Sequence, residues 1–428
     1  MVEIKPFPAI IYNFAKIHKP EKVICPPYDI ISPLEAKLYR HLSSYNMIRL
    51  TLPKKNSRQS QYRNSASCFH KWLKTRILLQ DKEPAIYFYQ QEFKIDKMNN
   101  FSSTKDGRFK RLGFIASLSL YSSSSIFGHE HTYIEPKEDR FKLLVEVQAN
   151  LEPIFVLFSD PRGFFQNLFN KYILTSKPAI RFRDRENNMN TLWRLTESSI
   201  LKRIITRMEN KILFIADGHH RYEVSLNYRD LIRRRLKSNF PVTGDYNYIM
   251  VYLCPVESSG LVIRPVHRLV RGIDQFCLDK FTPLFHIQKT NQKSLFNLLR
   301  TQTAKRRKLG VYVNKNYYIF TLKNYKILDR IDKDYRSVDV YLLNHLILKR
   351  ILKVNPDDKD RVIFSAKAGE LIRQADSDKT SLVFLLRPAG VADIIYLAKA
   401  GKKMPAKTTY FYPKVPSGLV IYKFRDYS

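Results

Sequence analysis

Five consecutive residues, Asp217 to Arg221, place a carboxylate, a glycine, two imidazoles and a guanidinium in one short segment. They lie in FIADGHHRYEVSL, after an apolar run and before a pattern typical of a helix. Because Gly218 can adopt backbone angles closed to other residues, we expect a sharp turn here. Such a turn leaves the first amide groups of the helix without partners in the helix. Helix starts of this kind attract anions, so the segment predicts a phosphate-binding site.

Each side chain of this turn has a role in phosphate chemistry. Arg221, which we expect to be exposed, can donate paired hydrogen bonds to phosphate oxygens, and Gly218 and His220 could contact the same group. Asp217 or His219 could accept a proton, and Asp217 could instead reach a phosphate-bound magnesium ion. The alternative is structural: Asp217 caps the helix, one histidine is half-buried, and Arg221 forms a surface salt bridge.

A second histidine cluster occurs in the segment GHEHT, which contains His129, Glu130 and His131. On an extended chain the two imidazoles would point to the same side. With His219, His220 and Asp217 they could ligate zinc or manganese if the two clusters meet. Phosphate binding and a purely structural role are the alternatives. We expect the two segments to line one cleft, because loops at strand ends converge to form sites.

Two further segments could contact a substrate. Tyr28 and Asp29 lie in CPPYDIISP, a loop stiffened by two prolines, which we expect to close over the cleft. A packed tyrosine and a helix-capping aspartate are the alternative. Lys407 and Tyr410 belong to KTTYFYPK, whose aromatic and basic side chains could stack a base and pair with phosphates. The alternation in KTTYFYPK also fits an edge strand.

The order of elements along the chain predicts the fold class. Strands are predicted for PAIYFYQQEF, for its hairpin partner LGFIASLSL across a polar loop at 95–110, for 153–158 and for KILFIA. Helices are predicted from Pro33, over 137–147, from about Glu197 and over 221–236, while the residues between 161 and Glu197 are predicted to be irregular. YNYIMVYLCP and GLVIRPVHRLV are predicted to form a strand pair. We conclude that the fold is α+β, with mixed sheets and flanking helices.

The length of 428 residues exceeds what one hydrophobic core usually covers, which predicts two or three domains. We place an N-terminal α+β region at 1–160, which contains the CPPYD and GHEHT loops. A central unit at 161–272 contains the DGHHR turn. A C-terminal α+β region follows at 273–428.

Composition narrows the class of protein further. The net charge of +35 attracts polyanions, but the basic residues are scattered and no nucleic-acid-binding motif is evident. Nucleic acid is therefore a possible partner that we do not favour. Four widely spaced cysteines and the lack of a signal peptide or a long apolar stretch predict a cytoplasmic protein without a membrane partner. The pattern leaves the oligomeric state open.

Several segments resemble the domain of unknown function 1015 family, a large prokaryotic family without an established activity. The resemblance lies in IKPFPAI, CPPYDIISP, GHEHTYIEPKEDRFKLL, NLEPIFVLF, IADGHHRYEVSL and MPAKTTYFYPKVPSGLV, in this order between residue 4 and about 420. The DGHHR turn also resembles the nucleotide-binding box of the ParB and sulfiredoxin superfamily, which includes free-serine kinases. This second resemblance implies a ParB/sulfiredoxin-like central unit. Because His219 stands where sulfiredoxins have their cysteine, the turn is more similar to the serine-kinase branch.

These observations lead to one favoured function and two alternatives. We expect a nucleotide-binding phosphotransferase that uses ATP or ADP with Mg²⁺ and acts on a small hydroxylated metabolite, similar to a serine kinase. One alternative is a nucleic-acid-binding protein gated by a nucleotide. The other is a metal-dependent hydrolase that uses the two histidine clusters.

Overall fold

The computed structural model describes residues 1–54, 60–95, 107–132, 134–237, 241, 243–301 and 307–425. The α-helices in these residues are α1 (Pro20–Val23), α2 (Pro33–Leu42), α3 (Ile48–Thr51), α4 (Gln61–Lys74), α5 (Ile134–Val147), α6 (Phe164–Tyr172), α7 (Ser198–Met208), α8 (His219–Leu236), α9 (Gln292–Thr301), α10 (Asp339–Leu342), α11 (Ala368–Asp376) and α12 (Val391–Lys399). Helix α10 continues as a π-helix over Leu343–Lys349.

The strands are β1 (Ile4–Lys5), β2 (Ile10–Tyr12), β3 (Leu78–Gln80), β4 (Ile86–Lys94), β5 (Arg108–Ser119), β6 (Ile126–Gly128), β7 (Ala149–Asn150), β8 (Ile154–Phe158), β9 (Ile180–Arg183), β10 (Met189–Leu195), β11 (Leu213–Asp217), β12 (Tyr248–Pro255), β13 (Val262–Arg264), β14 (His267–Val270), β15 (Phe285–Thr290), β16 (Lys308–Val313), β17 (Asn316–Leu322), β18 (Val362–Ser365), β19 (Leu382–Leu385), β20 (Tyr410–Tyr412) and β21 (Tyr422–Lys423). Helices and several sheets together confirm the predicted α+β class.

Local sequence signals explain where several elements begin. Ser32 and Glu35 form a reciprocal capping box at the start of α2, and Pro33 occupies the first helical position, where its missing amide costs nothing. The predicted hairpin is also present, because β4 and β5 pair antiparallel out to Lys94 and Arg108. Part of its predicted loop, 96–106, lies outside the described residues.

The largest sheet in the described residues has nine strands and carries the DGHHR turn at one end. Its order is β6-β11-β8-β12-β5-β4-β10-β9, with β1 paired to β5. Strand β11 runs parallel to β6 and antiparallel to β8, while β12 runs parallel to β8. The sheet is therefore mixed, and the turn that follows β11 lies next to the end of β6.

Both faces of this sheet are buried. Along β8, Ile154 and Val156 pack with helices α6 and α7, while Phe155 and Leu157 belong to a second core with α5 and α8. A strand covered on both faces has no polar side to expose, which explains the continuous apolar run in this segment. Helices on the second face bring the start of α8 beside α5.

A second, six-stranded sheet is formed by the order β15-β17-β16-β19-β14-β18, in which every pairing is antiparallel. The last part of the chain then returns to the N-terminal half. Strand β20 pairs with β13, β21 pairs with β7, and the backbones of Ser417 and Cys25 form an isolated β-bridge. This return brings residues 403–414 against the DGHHR turn.

The prediction of irregular structure between 161 and Glu197 is wrong. This region forms α6 and the hairpin of β9 and β10. Asp160 accepts a hydrogen bond from the Phe165 amide at 3.0 Å and so stabilises the start of α6. In β9, buried Ile180 and Phe182 alternate with exposed arginines. The segment therefore has the period of two typical of a strand, although its composition is polar.

The predicted pairing of YNYIMVYLCP with GLVIRPVHRLV is also wrong. Strand β12 pairs with β5 and β8 instead, because its residues are buried along nearly its whole length and need strand neighbours on both sides. The second segment is divided at Pro265, which has no amide hydrogen to donate. Its two parts, β13 and β14, join different sheets.

The strands of the nine-stranded sheet come from both sides of residue 160, and the division into domains at 160 and 272 stays a prediction. In the part of the chain that the structure describes, no helix combines the length and apolar character needed to cross a membrane.

Candidate functional site

The DGHHR turn joins β11 directly to α8, so His219, His220 and Arg221 form the first turn of the helix rather than the loop before it. Gly218 has a φ of 91°, and a Cβ atom at this position would lie 2.8 Å from Cγ2 of Ile154. Both the backbone angle and the close approach therefore require glycine. The turn presents the first amides of an 18-residue helix at the edge of the sheet.

Asp217, at the end of β11, is held by two cations. Its Oδ2 atom accepts a hydrogen bond of 2.9 Å from Nη2 of Arg221, and its Oδ1 atom pairs with Nζ of Lys414. The side chain is 16% exposed. Burial alone would raise the pKa of Asp217, but Lys414 and Arg221 outweigh this effect and lower the pKa to about 2. The carboxylate is therefore charged and doubly paired at neutral pH.

Arg221 points inward, so the prediction that it is exposed is wrong. Its side chain is 13% exposed, and Nη1 donates to the carbonyl oxygen of Pro153 at 2.5 Å and lies 3.8 Å from Oε2 of Glu152. Burial opposes the charge, but Glu152 and then Asp217 raise the pKa of Arg221. The guanidinium thus pairs with two carboxylates. This resembles the alternative in which Arg221 forms a surface salt bridge, except that these ion pairs are buried.

The two histidine segments meet, as predicted. The backbone amide of His129 donates to Nε2 of His219 at 3.2 Å, and the two ring centroids lie 4.7 Å apart in a T-shaped arrangement. The Nδ1 atom of His129 lies 2.9 Å from the carbonyl oxygen of Ile215, so Nδ1 carries the proton and Nε2 can accept from Oγ1 of Thr409 at 3.3 Å. The parallel pairing of β6 with β11 produces this contact.

Both imidazoles are neutral at pH 7. Burial lowers the pKa of His129 to about 3, with a further contribution from His219. Burial also lowers the pKa of His219 to about 3, against the opposing charge of Asp217. Because Nε2 of His219 already accepts a hydrogen bond, its lone pair is engaged. These two histidines therefore organise the site and are poorly suited to carry protons near neutral pH.

Glu130 connects the histidine pair to the C-terminal segment. Its Oε1 atom accepts a hydrogen bond of 3.1 Å from the amide of Lys407, and its Oε2 atom lies 3.8 Å from Nδ1 of His219. His131, in contrast, is exposed, so the prediction that His129 and His131 point to the same side is wrong. The extended chain ends with the bridge of Glu130 to Met404, and His131 lies in the loop that leads to α5.

The geometry does not favour a metal centre in this cluster. Three of the four ring nitrogens of His129 and His219 already have hydrogen-bonding partners. Within the described ranges, no group of three or more His, Cys, Asp or Glu side chains is placed to hold a metal ion. Zinc ligands need lone pairs directed at a common point, whereas the Nε2 lone pairs of His129 and His219 are directed at protein donors.

The C-terminal segment adds cations that the sequence interpretation assigned only in part. Nζ of Lys403 donates to the carbonyl oxygen of Gly128 at 2.7 Å, and Nζ of Lys414 lies 5.0 Å from the ring centroid of Tyr410. The side chain of Lys407 is exposed. Sequence reasoning missed Lys403, although the basic run GKKMPAK was a usable signal. Strand β20 also confirms that Tyr410 lies on an edge strand.

The CPPYD loop reaches the site through Glu152, which sequence reasoning also missed. Oε1 of Glu152 accepts from the amide of Tyr28 at 3.3 Å and from the hydroxyl of Ser417, while Oε2 faces Arg221. Burial raises the pKa of Glu152. The ring of Tyr28 lies 4.0 Å from the guanidinium carbon of Arg140, and Asp29 is exposed. Tyr28 is thus a packed tyrosine, while Asp29 faces solvent.

The fold and this site define an α+β protein with a glycine turn between a strand and a long helix. The family model described as "Protein of unknown function (DUF1015)" matches residues 4–341, and the chain belongs to this family. The likeness of segment 404–420 lies beyond the matched residues and stays a prediction. Comparison with curated proteins gives no significant match.

Solved structures with a distant likeness include a free serine kinase in complex with AMP, at 11% identity and a TM-score of 0.33, over 72% of this chain and 92% of that one. C-terminally truncated SbnI from Staphylococcus aureus has 10% identity and a TM-score of 0.35, over 71% and 85%. A conserved hypothetical protein from Pyrococcus furiosus has 10% identity and a TM-score of 0.33, over 71% and 93%.

Proposed function

We propose that this protein binds the phosphate chain of a nucleotide, ATP or ADP, at the start of α8 and transfers a phosphoryl group to a small hydroxylated metabolite. The observation that carries the proposal is the convergence of the helix start with lysines from a remote segment. Lys403 and Lys414 bond to the residues that frame the turn, and exposed Lys407 lies beside them. Amides at a helix start and ammonium groups close to them together suit a phosphate chain.

Three groups of this site are proposed to contact the phosphates. They are the first amides of α8, the half-buried imidazole of His220 and the ammonium group of Lys407. Arg221, predicted to contact phosphate, is proposed instead to orient the turn, because its guanidinium is committed to Asp217 and Glu152. Gly218 is proposed to contribute through its backbone turn, because the side of Gly218 where a Cβ would stand faces Ile154 and Arg221.

The proton acceptor is proposed to be His220 rather than Asp217 or His219. Asp217, with a pKa near 2, holds a proton too weakly to be an effective base at neutral pH. Burial lowers the pKa of His220, which keeps its imidazole neutral and able to accept a proton from a substrate hydroxyl. Glu130 partly opposes this lowering.

A magnesium ion fits this site only as a companion of the nucleotide. Both oxygens of Asp217 pair with cations, so Asp217 does not fit a metal ligand. Asp29 is exposed and contributes to the raised pKa of Arg221, after Glu152 and Asp217, so it lies in the same electrostatic environment. Asp29 is proposed to contact the ion, which when bound would neutralise phosphate charge.

Isothermal titration with ATP, ADP and AMP, with and without Mg²⁺, tests binding. We expect saturable binding by the wild type and at least about tenfold weaker binding by Lys407→Gln, since one charge-assisted phosphate contact is removed. Lys323→Gln, which changes an exposed lysine at the end of β17, is the matched control and should bind as the wild type does. A wild type that binds none of the three nucleotides would refute the proposal.

Transfer is measured separately by ³¹P NMR with ATP and a panel of hydroxylated amino acids and sugars. His220→Gln, whose side-chain amide can still donate a hydrogen bond to a phosphate, should retain nucleotide affinity within about threefold. It should lose roughly 10²-fold or more in transfer rate, the usual contribution of a general base. Equal rates for His220→Gln and the wild type would remove the proposed role of His220.

A further inference from the structure

Helix α7 presents a basic and aromatic face that the proposed nucleotide site does not use. Its buried side consists of Ile200, Leu201, Ile204 and Met208, which pack against the nine-stranded sheet. The opposite side exposes Lys202, Arg203 and Arg207. This amphipathic pattern accounts for the helix itself, but burial of the apolar side does not require the outer side to be positive.

The cations of this face line a surface cavity of about 620 Å³ together with Phe164 from the start of α6. Its basic lining residues are Lys202, Arg203, Arg207 and Lys211, and its lining contains no acidic residue. Arg203 and Arg207 are one helical turn apart, about 6 Å along the axis. The cavity therefore offers a row of positive charges at its wall.

Aromatic rings lie among these charges. The guanidinium carbons of Arg203 and Arg207 lie 5.9 and 5.5 Å from the ring centroid of Phe164. Arg203 also donates to the hydroxyl of Tyr172 at 3.4 Å and lies 5.7 Å from the centroid of its ring. Guanidinium groups stacked on rings are held in place, which lowers the entropy lost when they bind a ligand.

The charged residues that line the cavity are all basic. Hydrogen bonds from Arg203 and Lys171 lower the pKa of Tyr172, and burial together with Arg207 lowers the pKa of Lys211 against the opposing charges of Asp160 and Glu257. Across the residues that the structure describes, no carboxylate forms an ion pair with Lys202, Arg203 or Arg207. These charges are thus available to an external anion.

We propose that this face of α7, with Phe164 and Tyr172, binds single-stranded nucleic acid without sequence preference. A row of cations matches a chain of phosphates, and rings and guanidinium planes at the same surface match unpaired bases, which stack on such groups. The net charge of +35 adds long-range attraction for a polyanion. The inference is independent of the nucleotide proposed at the start of α8.

Fluorescence anisotropy of a labelled 15-nucleotide oligo(dT) with the full chain tests the proposal across a salt series. Arg203→Gln/Arg207→Gln should weaken binding at least about tenfold. It should also reduce the slope of log K against log salt by about 1.4, because each phosphate contact on a single strand contributes roughly 0.7. Phe164→Leu should weaken binding about fivefold while leaving the salt slope unchanged, since it removes stacking and not charge.

The matched control is Arg234→Gln/Arg235→Gln, which removes two exposed charges from the end of α8. It should alter affinity less than about threefold. Equal losses in both double variants would assign binding to diffuse charge and overturn the proposal. A wild type that does not bind the oligonucleotide would also overturn it. Binding to phosphatidylserine vesicles that depends on Arg203 and Arg207, without binding to the oligonucleotide, would also overturn it.

Discussion

At the residue scale, Asp217 is the charge on which the turn depends, because Arg221 and Lys414 both pair with it. Asp217→Asn leaves two cations partly buried without their shared anion. Removing one partner of such a buried network costs about 3–5 kcal/mol of unfolding free energy. Urea denaturation at pH 7 measures this loss.

Asp329→Asn is the control for this change. Asp329 pairs with Arg336 at 3.3 Å, but its side chain is 68% exposed, so its loss should cost less than about 1 kcal/mol. Similar costs for the two variants would show that the Asp217 network contributes no more than a surface ion pair.

The buried histidines predict that the free energy of unfolding depends on pH. His129 and His219 have pKa values near 3 in the folded protein, below the ordinary value of 6.5, so the unfolded chain binds more protons between these values. Their contribution to stability is complete above about pH 6.5 and is lost as the pH falls toward 3.

Urea denaturation of the wild type and His219→Gln at pH 7, 6, 5 and 4 measures this effect. We expect a steeper fall in unfolding free energy for the wild type. His267, whose pKa burial also lowers to about 3, contributes to both proteins and cancels in the difference. Parallel curves would mean that His219 is not protonated on unfolding in this range.

At the element scale, the connection of β11 to α8 depends on Gly218. Gly218→Ala combines an unfavourable φ of 91° with a contact of 2.8 Å to Ile154. Gly401→Ala is the control, because Gly401 has a φ of 68° and no atom lies within 4 Å of an added Cβ. It therefore measures the backbone cost alone. We expect Gly401→Ala to cost about 1 kcal/mol and Gly218→Ala about 2 kcal/mol more, as read from denaturant midpoints. Equal costs would show that the Ile154 contact relaxes without penalty.

At the scale of the whole molecule, a buried arginine connects the six-stranded sheet to the site. Arg268, in β14, donates from Nη2 to the carbonyl oxygen of Lys407 at 2.7 Å and is almost completely buried. Burial lowers its pKa to about 9. Because Lys407 in turn donates to Glu130, Arg268 holds the backbone that places the C-terminal lysines.

Arg268→Met should therefore loosen the segment around Lys407. Hydrogen exchange of the amides at 406–410 should accelerate at least about tenfold, while the amides of β8 keep their protection. Lys402→Met, which removes the ion pairs of Lys402 with Asp332 and Asp334, is the control and should leave exchange at 406–410 nearly unchanged. Unchanged exchange in Arg268→Met would exclude this positioning role.

The sequence alone determined the features that depend on a few neighbouring residues. Ser32, Pro33 and Glu35 predicted the start of α2, and Gly218 predicted the turn before α8, because capping and backbone angles are local properties. The meeting of the two histidine segments was also predictable, since both follow strands whose ends can share an edge.

Only the tertiary structure decided which way Arg221 points and what surrounds it. Its partners Asp217 and Glu152, and the second cation Lys414, come from segments spread between residues 152 and 414 of the chain. A sequence pattern records residue types but not which remote carboxylates become buried beside them. The strand neighbours of β12 could not be predicted for the same reason. Its apolar sequence indicates burial on both faces but not that β5 and β8 are its neighbours. Long-range burial, rather than local propensity, turned a predicted phosphate arginine into the buried centre of an ion-pair network.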